Sequence, residues 1–127
     1  MERNVINSKA APAAAGGYSQ AIEIVDAKRL LFISGQIPEN TQGWIPPTFE
    51  EQAKLAWSNV EAQLKQAGMT FANLVKVTVI IPDAKHVKEN RRIRNAVLGQ
   101  RQPAVTLLIA GIYDERWLIE IEATAAE

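Results

Sequence analysis

Residues 75–83, Val75-Lys76-Val77-Thr78-Val79-Ile80-Ile81-Pro82-Asp83, set the middle of the fold. Val75, Val77, Val79 and Ile81 alternate with Lys76, Thr78 and Ile80, the period-two pattern of a strand with one buried face. Pro82 lacks a backbone donor and ends that strand. Asp83 can then cap a helix running to about Leu98, with Gly99 after it. From Ala104 to Ala110 the chain is apolar on both sides, with Val105, Leu107 and Ile109 set against Leu108 and Ala110, which predicts a strand covered on both faces.

Working outward, Thr48-Phe49-Glu50-Glu51 is a capping-box pattern. Behind it Phe49, Ala53, Ala56, Val60, Leu64 and Ala67 recur on one helical face, and Gly68 is a natural stop. Upstream, Pro38 to Pro47 is a loop, and Ala21–Asp26 and Leu30–Ser34 flank a short polar stretch, which reads as a β-hairpin. Val5 and Ile6 suggest a small edge strand. Downstream, Trp117, Ile119, Ile121 and Ala123 alternate with Leu118, Glu120, Glu122 and Thr124 in a last strand.

The order β-β-α-β-α-β-β predicts an α+β domain: a mixed sheet of five to six strands with two helices on one face. Two helices of about 16–20 residues cover one face of such a sheet, not both. The strand from Ala104 needs cover on both, so the open face should be buried against further copies of the chain.

Composition narrows the function classes. The 127 residues carry 14 basic and 14 acidic side chains, 47% hydrophobic residues and no cysteine. That size fits one domain over residues 1–127, with no repeat or linker. Without cysteine there are no disulfides, thiolate nucleophiles or thiolate zinc sites. Charge neutrality argues against a dedicated nucleic-acid or membrane-surface binder. No segment is long and apolar enough to span a bilayer, and Met1-Glu2-Arg3-Asn4 does not read as a signal peptide, so a cytoplasmic protein is expected.

Few side chains advertise chemistry. The single histidine, His86, lies among lysines and reads as a surface residue, and one histidine cannot form a paired-histidine metal site. Lys85, Lys88, Arg91, Arg92 and Arg94 make the second helix basic; without interleaved aromatics they read as a solvated face or as ion-pair partners. Gly16-Gly17 reads as a flexible turn. Tyr18 is either a hydrogen-bonding pocket wall or a plug at the sheet edge. At Ser34-Gly35 a glycine ends a strand where a ligand or a turn is accommodated. Glu120 and Glu122 share one strand face, where they would orient a water or simply meet solvent.

Together these stretches resemble the reactive-intermediate deaminase (Rid, or YjgF) family, whose members have also been called endoribonucleases and translation inhibitors. The likeness runs through Ala11-Pro12, Tyr18-Ser19-Gln20-Ala21, Phe32-Ile33-Ser34-Gly35-Gln36-Ile37, Asn59 to Gly68, Val75 to Val79, Asn90, Pro103-Ala104 and Ile119 to Ala123. It implies a chorismate-mutase-like fold, a homotrimer, and small-molecule pockets at the subunit interfaces. It further implies hydrolysis of 2-imino or 2-enamino acids to 2-keto acids and ammonia, with no cofactor. An imine is already electrophilic, so such a site need only hold it, position water and stabilise charge. By the same resemblance Tyr18 lines the pocket, Ser34 and Gly35 give backbone contacts, Asn90 lies at the pocket or interface, and Glu120 helps place water.

The departures are informative. The family pattern reads Pro-Ala-Arg before the fourth strand, and its arginine clamps the substrate carboxylate; here Val105 occupies that position. Losing such a charge-assisted pair would cost about 1.5–3 kcal/mol. Gly17 stands where the family has proline, which should loosen the loop bearing Tyr18. Tyr113-Asp114-Glu115-Arg116-Trp117 replaces a Leu-Pro-x-Gly turn, and Ile93 an aromatic residue. Two readings therefore stay open: a Rid-like hydrolase with altered specificity, for a substrate lacking the simple 2-imino carboxylate handle, and a non-catalytic binding or regulatory trimer. A ribonuclease or translation inhibitor fits the neutral charge and lone histidine less well, and a chorismate mutase would want more arginines around its ligand.

Overall fold

The computed structural model describes residues 1–127 and contains six strands and two α-helices. Strands β1 (Glu2–Ile6), β2 (Ala21–Val25) and β3 (Leu30–Gln36) precede helix α1 (Phe49–Gln66). Then come β4 (Leu74–Ile81), α2 (Val87–Leu98), β5 (Ala104–Ile109) and β6 (Glu120–Ala126). Four strands form one mixed sheet in the order β3-β6-β4-β5, with β4 and β5 parallel and β6 antiparallel to both its neighbours.

Helix α1 begins and ends where local chemistry dictates. The Thr48 hydroxyl accepts the Glu51 N–H at 3.2 Å and lies 3.0 Å from the Glu51 carboxylate, so glutamate reaches back to the hydroxyl rather than to the cap N–H. At the other end Gly68 takes φ +73°, its N–H donates to Lys65 O, and the Met69 N–H donates to Leu64 O. That double bond pattern is a Schellman motif, which a glycine makes without steric cost. Gln52 and Trp57 join the expected apolar face as buried residues, while Ala67 is only half-buried.

Three expectations change. Ala21–Val25 pairs with Glu2–Ile6 in a separate two-stranded ribbon, not with Leu30–Ser34. The connecting residues explain it: Asp26 turns the chain at φ +56°, and the N–H groups of Lys28 and Arg29 already donate to Glu127 O at 2.7 and 2.9 Å. From residue 28 onward the chain is committed to the β6 edge, which leaves no tight hairpin turn. The last strand starts at Glu120 rather than Trp117, because the Leu118 N–H donates to Gln52 Oε1 at 2.8 Å instead of to a neighbouring strand. Asp83 caps a short 3₁₀ turn at Ala84–His86, and α2 proper follows at Val87.

Both helices lie on one face of the four-stranded sheet, enclosing Val60, Leu64, Val77, Val79, Ile81, Ile93, Ile121 and their neighbours. The other face carries Phe32, Lys76, Thr78, Leu108, Glu122 and Thr124 and has no cover within the chain. Phe32 is 75% exposed there. No helix is long and apolar enough to cross a membrane.

Candidate functional site

The segment before β2 is held against β5. The Ser19 N–H donates to Pro103 O at 3.0 Å and its hydroxyl to Gln102 O at 2.6 Å, forming an isolated parallel bridge between Ser19 and Ala104. A buried serine with both groups bonded fixes its neighbour, so Tyr18 stands beside the start of β5. In register, Val105 and Leu107 lie opposite Val77 and Val79 and therefore point to the helix-covered side of the sheet. Helix α2 crosses above them and presents Val87, Asn90, Arg91 and Arg94, at spacings that put them on one face.

These elements enclose a cleft of about 180 Å³. Its walls are Tyr18, Val87, Asn90, Arg91, Arg94, Val105 and Leu107, with Ala15 at the rim. Three of the residues singled out from sequence, Tyr18, Asn90 and Val105, are thus brought together.

The sequence pointed to no guanidinium in this cleft; the structure puts two there. Arg94 is only 5% exposed, contrary to its reading as part of a solvated face. Helical periodicity explains the difference: Arg94 follows the buried Asn90 by four residues and Ile93 by one, so it lies on the inward side of α2. Arg92, one step round, does behave as expected and pairs with Glu50 at 3.1 Å. The Arg94 Nη2 donates to Gly16 O and more weakly to Asn95 Oδ1, and its Cζ stands 5.8 Å from the centre of the Tyr18 ring. No carboxylate pairs with it. Its Nε is buried without a partner, as is Asn90 Oδ1. Burial, and then the charge of Arg91, pull the Arg94 guanidinium below its ordinary value, while Tyr18 opposes them.

Gly17 does not loosen the loop as its place in a proline position suggested. Gly16 and Gly17 take φ +97° and +85°, a turn closed to proline, and they pack directly on α2. A β-carbon on Gly17 would stand 2.7 Å from Asn95 Oδ1, and one on Gly16 would stand 3.2 Å from Arg91 Nε. The turn is pinned by Arg94 and its neighbours rather than free.

The remaining candidates lie elsewhere. Strand β3 bulges between Ile33 and Gln36, so that Ser34 and Gly35 together oppose Glu122. Glu120 and Glu122 do share a face, the uncovered one, since Ile119, Ile121 and Ala123 fill the core side. Glu120 lies against Gly35. Ser34 lines a shallow depression with Lys76, Thr78 and Glu122 on the same open face. Lys76 donates to Thr106 Oγ1 at 2.5 Å; burial pulls its ammonium below the usual lysine range, and Glu122 partly offsets this. Neither Ser34, Gly35 nor Glu120 borders the Tyr18 cleft. No three side chains of the types that bind metals cluster anywhere.

The replaced turn at 113–117 is closed on itself. Asp114 accepts the Arg116 backbone N–H at 2.9 Å and both Nε and Nη2 of its guanidinium at 3.0 and 2.7 Å. Arg116 therefore is committed to Asp114, and Arg101 donates to Leu98 O, so neither supplies the cleft. Gln52, buried beneath this turn, donates to Pro46 O and Arg116 O and accepts from Leu118.

Residues 8–127 match the family described as Endoribonuclease L-PSP. A 2-iminobutanoate/2-iminopropanoate deaminase of Rattus norvegicus is 37% identical over 128 residues, covering 98% of this chain and 90% of the relative. A RutC family protein of Pyrococcus abyssi is 32% identical, covering 98% of both chains. Among solved structures, a Rid-family protein of unknown function from Yersinia pestis superimposes with a TM-score of 0.85 at 27% identity over 100% of both chains. TdcF of E. coli with bound serine superimposes with a TM-score of 0.74 at 30% identity over 98% of both chains.

Proposed function

The chain belongs to the Endoribonuclease L-PSP family, also known as the Rid or YjgF family, and on that premise we propose that it hydrolyses small reactive C=N compounds with a specificity of its own. The observation that carries this reading is the meeting of Tyr18, Asn90 and Val105 in one cleft. Relatives named as 2-iminobutanoate deaminases align with nearly the whole chain, and one solved relative holds serine, a small amino acid.

In the proposed reaction a water oxygen adds to the iminium carbon and gives a proton to Glu120. Glu120 returns that proton to the amine nitrogen, the C–N bond breaks, and the departing ammonia takes the hydroxyl proton, leaving a 2-keto acid and ammonium. The protein needs no cofactor for this, because the substrate supplies its own electrophile. Gly35, in the bulge of β3, gives Glu120 room to approach.

Glu120 and Val105 point to opposite faces of one sheet, so a single chain does not join them. A second copy seated with its β5 edge and α2 on the open face would. Head-to-tail contacts of this kind close into rings, and the resemblance to a trimeric family sets the number at three. Surface area supports this: the chain exposes 7462 Å², whereas a 14.0 kDa monomer is expected to expose about 6,700 Å². We therefore read the protein as a homotrimer with interfacial sites.

Specificity follows from Val105. With Val87 and Leu107 it makes an apolar floor where the family pattern has arginine; in place of the substrate without a 2-imino carboxylate expected from sequence, this favours an imino acid whose bulky apolar side chain rests on that floor over 2-iminobutanoate. The test is imine decay followed by semicarbazide trapping, with 2-iminobutanoate and the imine of leucine generated in place. Faster hydrolysis of the leucine imine is expected. No acceleration of either would leave a binding trimer and remove the enzyme reading.

A further inference from the structure

The geometry points to Arg94 as the group that grips the substrate's carboxylate, from helix α2 rather than from strand β5. This rests on reading the Tyr18 cleft as the imine site. A guanidinium is expensive to bury, and one held without a counter-charge is rarer still. Arg94 is nine-tenths buried, borders the cleft, pairs with no carboxylate in the chain, and keeps Nε unsatisfied. The Nη2 bonds to Gly16 O and, more weakly, to Asn95 Oδ1 fix the plane of the group. The Tyr18 ring alongside it adds cation–π attraction without using any N–H. What remains is an oriented donor with no acceptor, the state of a site awaiting an anion.

Two departures from the family pattern then become one. Val105 removes a guanidinium from the cleft floor; Gly17, with Gly16, forms the left-handed turn whose carbonyl holds another guanidinium at the cleft wall. Proline at residue 17 could not take φ +85°. Arg91 lies across Gly16, where a β-carbon would crowd its Nε, and supplies a second positive charge at the rim. Asn90, with its free Oδ1, faces the same space and would meet the substrate nitrogen. The ligand class is thus a small 2-imino or 2-keto carboxylate, turned relative to one held from β5 so that its side chain lies on Val105 and Leu107.

Binding, not turnover, gives the deciding readout. The probes are 2-oxobutanoate and 4-methyl-2-oxopentanoate, each compared with its uncharged amide by calorimetry and by ¹⁵N NMR of arginine Nε–H groups. Wild-type protein should bind at least one acid on the order of 10-fold or more tightly than its amide, with the Arg94 Nε–H resonance displaced. Arg94→Met should weaken acid binding by roughly 10- to 100-fold, Arg94→Lys less, and Arg91→Met only a few fold. The comparison of acid with amide needs no variant and so stands even if Arg94→Met fails to fold. Equal binding of acid and amide, no binding of either acid, or unchanged affinity in folded Arg94→Met would each overturn the assignment. The two proposals also separate. Arg94-dependent binding without imine hydrolysis sinks the enzyme reading alone, and hydrolysis indifferent to Arg94 sinks the grip alone.

Discussion

The carboxyl group of Glu120 rests on the backbone of Gly35, so closely that a β-carbon at residue 35 would stand 2.7 Å from its Cδ and 2.9 Å from its Oε1. Glycine is needed there for space, not for a left-handed turn. Gly35→Ala should therefore push Glu120 aside while leaving the fold in place, lowering kcat for imine hydrolysis with little change in keto-acid affinity. Glu120→Gln should lower kcat further, by roughly 10²- to 10⁴-fold, the usual worth of a positioned base. Steady-state kinetics on both variants check this; a Glu120→Gln protein with wild-type kcat would remove Glu120 from the mechanism.

Gln52 should matter more to stability than to rate. It is buried and satisfies Pro46 O, Arg116 O and the Leu118 N–H at once. Gln52→Ala leaves those groups unpaired beneath the 113–117 turn and should cost roughly 2–4 kcal/mol. Urea denaturation measures the loss directly. A cost below that of an ordinary surface substitution would mean the turn is held by something else.

Acid should weaken the same turn. The Arg116 guanidinium, and then its backbone N–H, hold the Asp114 carboxyl down to about 2 from 3.8. A folded-state value below the unfolded one gives stability that is present above about pH 4 and lost as pH falls towards 2. The group is exposed, so salt should screen the effect. Melting temperatures of wild type and Asp114→Asn should differ at pH 6 and converge between pH 4 and 2; a constant gap would exclude Asp114 as its source.

Assembly should depend on the open sheet face. Phe32 is 75% exposed on it, on the edge strand β3 and in line with Thr124 of the adjoining strand. The protein should sediment at three times its 14.0 kDa chain mass. Phe32→Glu, which would bury a charge in the contact, should yield monomers without hydrolase activity. Trimers that survive this substitution would place the interface elsewhere.

How much of this was legible depended on the range of each interaction. The limits of α1 were readable because Thr48 and Gly68 act on residues three or four positions away. The faces of β4 and β6 were readable because alternation is local. The partner of β2 was not, since pairing with β1 or β3 turns on where Lys28 and Arg29 send their N–H groups, and Glu127 lies at the far end of the chain. The inward position of Arg94 was available from its four-residue spacing to Asn90, but the adjacent Arg91 and Arg92 hid it among charges.

Short-range pattern and the order of motifs carry the succession of strands and helices, the family, and the valine at position 105. Long-range contacts decided that a bonded Ser19 would bring Tyr18 to β5, that Glu120 would settle over Gly35 on the opposite face, and that Arg94 would stand in the cleft with Val105. Those relations join residues many positions apart through register and helix packing, and no local rule of spacing encodes them.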